Sequence, residues 1–88
     1  MDEATYITLQ EELRVAKERH EAAKSRFKEV SRATYTAGIP SSDGNLLFRK
    51  ALQEENVARS AHVAALMRLS EYLLNGTVPK HIREKRPH

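Results

Sequence analysis

Two long runs free of glycine and proline, separated by one abrupt break, limit what this chain can fold into. Residues 3 to 37 contain neither residue type, and the same holds for residues 45 to 75. Both runs are rich in Glu, Lys, Arg, Ala and Leu, which lose little on entering a helix. Between them stands Ala37-Gly38-Ile39-Pro40. A glycine can take the left-handed conformation that ends a helix, and a proline shortly after it prevents continuation. Ser41, Ser42, Asp43 and Asn45 then offer caps for a second helix. A short connection between two long helices makes them antiparallel neighbours. The expected fold is therefore all-α: a two-helix antiparallel hairpin with helices over about residues 3–37 and 43–75.

The first helix carries a narrow stripe. Tyr6, Leu9, Leu13, Ala16, His20, Ala23, Phe27, Val30, Thr34 and Ala37 alternate in steps of three and four, which is a heptad pattern. Its other faces are charged, with Glu and Lys or Arg at helical spacing, as at Glu21, Lys24 and Lys28. At its start Asp2, Thr5 and Thr8 are each candidate caps.

The second helix is different. Its apolar arc gathers Leu47, Phe48, Ala51, Leu52, Ala58, His62, Ala65, Leu66, Leu69, Tyr72 and Leu73. The arc spans about 160°, wider than one partner helix covers. A lone hairpin would leave a strip with Leu52, Leu66, Leu73 and Phe48 wet, and such strips mark interfaces. The simplest closure is a homodimer in which two hairpins make a four-helix bundle, with the first helix lying more outside. Leu47, Phe48, Leu52, Leu66, Leu69 and Leu73 are the expected interface residues. A higher oligomer, or a different protein donating the missing helices, is the alternative. The second helix stops as the first does, at Asn75-Gly76-Thr77-Val78-Pro79.

Polar residues interrupt the seam. A hairpin centred near Ser41 pairs residues whose numbers add to about 82, which sets His20 against His62 with alanines on either side. Glu55 lies on the same stripe and is expected opposite Phe27. Arg59 stands four residues after Glu55, a spacing that favours an ion pair. Two facing histidines form half of a metal site that a dimer mate would complete. The reading preferred is structural: His20, Glu55, Arg59 and His62 as a polar site that fixes register. The Glu-x-x-His pairs of di-iron bundles are absent, since Lys17 and Arg59 occupy the positions three before the histidines.

Charge is concentrated at one end. Within residues 80–88, Lys80, Arg83, Lys85 and Arg86 stand against Glu84, a net of +3 that equals the formal charge of the whole chain. The sequence divides into a neutral hairpin, residues 1–79, and a basic tail, residues 80–88, expected to be flexible. Those four cations are the phosphate contacts that a nucleic acid would use. Aromatic residues for base stacking are few and sit mostly on the apolar stripes. With no cysteine, disulfides and thiolate metal sites are excluded. No Ser/His/Asp set, phosphate-binding glycine loop or metal-ligand spacing is present. No apolar run approaches the ~20 residues of a membrane span, and the acidic start lacks the pattern of a secretory signal. The expectation is a cytoplasmic, non-enzymatic interaction or scaffold protein without a cofactor. The alternative is a small nucleic-acid-associated regulator that uses the tail.

Overall fold

The computed structural model describes residues 3–36 and 42–84. Helix α1 spans Glu3–Thr36, α2 spans Ser42–Asn75, and a short α3 spans Lys80–Glu84. No strand occurs among the described residues. The long helices run antiparallel, early residues of α1 meeting late residues of α2, as in Glu12 with Arg68 and Arg26 with Glu54. The rod measures 58 × 19 × 16 Å, in line with helices of about 50 Å. The expected boundaries agree with the structure to within a residue at each end. The Gly38-Ile39-Pro40 stop lies outside the described residues.

At the start of α1 the helix is already formed by Glu3, so Thr5 and Thr8 are interior residues rather than caps. Thr8 turns its hydroxyl back to the Ala4 carbonyl at 2.9 Å. Thr5 is fully buried.

The end of α2 follows the expected chemistry. Gly76 has φ +71°, and its N–H donates to the Tyr72 carbonyl at 2.9 Å, the single-bond left-handed stop. The chain then turns back. The Pro79 carbonyl accepts from the N–H groups of Ile82 and Arg83, both at 3.1 Å, and α3 begins. This moves the limit of the folded body past Pro79. Ile82 is 7% exposed and packs with Leu9 and Tyr72, bordered by Tyr6, Leu69 and Val78. The first part of the expected free tail is thus a docked helix. Ile82, the single large apolar residue of that stretch, has a pocket to enter.

Along the seam the buried side chains are small: Ala51 and Ala65 beside Glu55. The largest buried side chains cluster at one end of the rod, around Leu9, Tyr72 and Ile82.

Candidate functional site

The four residues expected to form a polar register site come together at mid-rod. His20 from α1 and His62 from α2 face each other through their Nδ1 atoms at 2.9 Å, with the rings edge to face and 5.2 Å between centroids. His20 Nε2 lies 3.4 Å from Glu55 Oε1. Arg59 donates to the same carboxylate oxygen at 2.6 Å. Glu55 is 4% exposed, so it is a buried carboxylate with two donors and one strong counter-charge, the condition under which a buried charge is tolerated.

The Glu55 side chain reaches along the seam to His20, and Phe27 packs on Phe48 at 5.3 Å between ring centroids. Burial acts to raise the Glu55 carboxyl, while the hydrogen bonds from Arg59 and His20 and the charges behind them outweigh it, so the group titrates below its ordinary value of 4.5.

The geometry fixes what the histidines can do. Two Nδ1 atoms at hydrogen-bond distance hold one proton between them. The other nitrogen of His20 faces the Glu55 carboxylate, which can only accept, so the pair is tied into the same network as Glu55 and Arg59. Among the described residues no group of three or more His, Asp or Glu side chains is placed to hold a metal ion.

The expected interface residues divide. Leu52, Leu66 and Leu73 remain 38, 48 and 46% exposed, and Leu47 is exposed as well. Phe48 is half-buried against Phe27, and Leu69 packs beside the Leu9–Tyr72–Ile82 cluster. Both therefore serve the hairpin's own core. Arg59 lies on the same flank of α2 as the three exposed leucines, one heptad after Leu52 and one before Leu66, and its side chain is itself exposed.

On the opposite flank is an open groove of about 690 Å³. Its floor is Val15, Ala16, Val57, Ala58 and Ala61, and Glu12, Arg19, Glu54 and Arg68 stand around it. Arg68 brings its Nε, buried and without a hydrogen-bond partner, to 3.9 Å from Glu12. Glu12 is occupied instead by His81 of α3, whose Nε2 sits 2.9 and 3.1 Å from the two carboxylate oxygens. Neither the groove nor this clamp was visible in the sequence. Both depend on how two helices are rotated about their axes, which no local pattern reports.

No family model, curated protein or solved structure matches this chain. The functional reading therefore stands on residues and geometry alone.

Of the four expected phosphate contacts, Lys80 and Arg83 are exposed on α3. Lys85 and Arg86 lie outside the described residues. No described helix is long and apolar enough to cross a membrane.

Proposed function

We propose that the chain is a non-enzymatic assembly module that acts as a homo-oligomer, two hairpins pairing through the exposed flank of α2 into a four-helix bundle. The observation that carries this reading is the line of Leu52, Leu66 and Leu73, each between a third and a half exposed in the single hairpin. Apolar side chains repeated along one helix face lose most by staying wet, and burying them against a second helix is the ordinary remedy. The mid-rod polar cluster supports a structural role. Its groups are bonded to one another rather than aimed into a cleft where a substrate would sit.

Sedimentation at micromolar concentration tests the proposal. The expected species has twice the chain mass of 10.0 kDa. Leu66→Glu should yield a monomer that keeps its helical circular dichroism, because Leu66 supports the partner face and not the seam with α1. A wild-type chain that sediments as a monomer and melts cooperatively would overturn the proposal.

A further inference from the structure

We infer that the groove between α1 and α2 binds a small amphipathic acid, its apolar chain on the groove floor and its anionic head on Arg68 and Arg19. The floor is Val15 and Ala16 of α1 with Val57, Ala58 and Ala61 of α2. Val57 and Ala61 are exposed and the other three half-buried, so the floor is apolar surface that faces water. Its volume of about 690 Å³ falls in the range of small-molecule sites, which are mostly apolar with a few placed polar groups. Arg68 and Val57 stand roughly 16 Å apart along α2, room for an extended chain of medium length. A stable protein partner needs about 20–30 residues a side, far more than line this groove.

The charges around the groove select the head. Each carboxylate there has a basic partner from outside the lining: Glu11 has Arg14, Glu54 has Arg26 at 3.6 Å, and Glu12 has His81 at 2.9 Å. The cations are the groups left over. Arg19 is exposed and makes no ion pair among the described residues. Arg68 stands 3.9 Å from Glu12, beyond hydrogen-bond distance, and its Nε is buried without a partner. A buried N–H without an acceptor costs stability. A carboxylate lying across the Nε and terminal N–H groups of Arg68 supplies that acceptor in the bidentate geometry a guanidinium favours. The Arg68 side chain is 37% exposed, which lets such a head reach it.

Both cations rise from the faces that form the floor, since Arg19 follows Val15 by one helical turn and Arg68 follows Ala61 by two. The methylene stem of Arg19 can cover the chain while its guanidinium adds to the positive field. A neutral or cationic amphiphile would leave both arginines unanswered. The groove lies on the flank of α2 opposite Leu52, Leu66 and Leu73, so it stays open whether or not two hairpins pair.

Calorimetric titration of the full chain with decanoate, decanol and decylammonium, each below its micelle-forming concentration, tests the proposal. Decanoate should bind once per chain. Decanol should bind about tenfold more weakly or worse, because it lacks the charge-assisted bonds, and decylammonium should not bind. Arg68→Gln should weaken decanoate by about tenfold or more and leave decanol unchanged. Arg49→Gln, exposed and away from the groove, should change neither. Circular dichroism checks that each variant keeps its helices; Arg19→Gln, at an exposed position, gives the same reading with a smaller loss if R68Q does not fold. Equal affinities for decanoate and decanol, or a decanoate affinity that R68Q lowers no more than R49Q, would overturn the anionic head. Tighter binding of decylammonium would assign the groove to its carboxylates instead. Absence of decanoate binding at millimolar concentration would remove the site.

Discussion

Replacing Ile82 with alanine asks whether α3 is part of the fold or an appendage. The side chain is 7% exposed and lies among Leu9 and Tyr72, with Tyr6, Leu69 and Val78 around it. Ile82→Ala deletes three carbons. At about 0.8 kcal/mol per buried carbon the transfer term is close to 2.4 kcal/mol, and the small remaining exposure lowers it to about 2.2 kcal/mol. A five-residue helix at the end of the rod can shift inward, so little cavity should persist and the cavity term is small. The expected loss is therefore about 2 kcal/mol, or a fall of roughly 10 °C in the thermal midpoint for a domain of this size. Urea unfolding followed by circular dichroism measures it, at one fixed protein concentration because assembly adds to apparent stability. Arg83→Ala, on the exposed side of the same helix, should change stability by less than about 0.5 kcal/mol. A chain ending at Pro79 should lose at least as much as Ile82→Ala, since it also gives up the His81–Glu12 contact. If Ile82→Ala and Arg83→Ala differ by less than 0.5 kcal/mol, on the ~0.5 kcal/mol scale of ordinary surface substitutions, the docking of α3 does not stabilise the hairpin and the reasoning fails.

Two further outcomes are expected. Gly76→Ala should cost about 1 kcal/mol in urea unfolding, because an added Cβ meets nothing within 4 Å and only the φ of +71° opposes it; Gly76→Asn should cost less, and an unchanged midpoint for alanine would contradict the left-handed stop. Glu55 titrates below 4.5 in the fold, so its contribution is present above that pH and is lost as pH falls through its lowered folded value; Glu55→Gln should flatten the stability curve in that acid range, to be checked by melting at pH 5 and pH 3.

The parts of this architecture that were legible in the sequence are those set by period and by chain reversal. Two uninterrupted helical runs around one stop dictate a hairpin. The placement of that stop fixes the register closely enough to set His20 against His62. The exposure of Leu52, Leu66 and Leu73 followed from an arc too wide for α1 to cover. What escaped is tertiary in origin. Lys80–Glu84 is too short to show a period, and a lone Ile82 in a basic stretch gives no hint that Leu9 and Tyr72 will receive it. The reach of the Glu55 side chain along the seam to His20 depends on rotamers, which residue spacing does not give. Phe48 and Leu69 were assigned outward from the breadth of the arc, but ring contact with Phe27 and the end cluster draw them inward.

The buried hydrophobic cluster of this rod, Leu9, Tyr72 and Ile82, joins the start of α1, the end of α2 and the short α3. Helix ends usually fray first, and here the start of α1, the end of α2 and α3 are fastened to one another. Amide exchange near Leu9 and Tyr72 should thus report global opening instead of local breathing. The Glu12–His81 pair acts as a latch on the same end: removing either the first turns of α1 or α3 would loosen both long helices at once, from the end where Leu9 meets Tyr72.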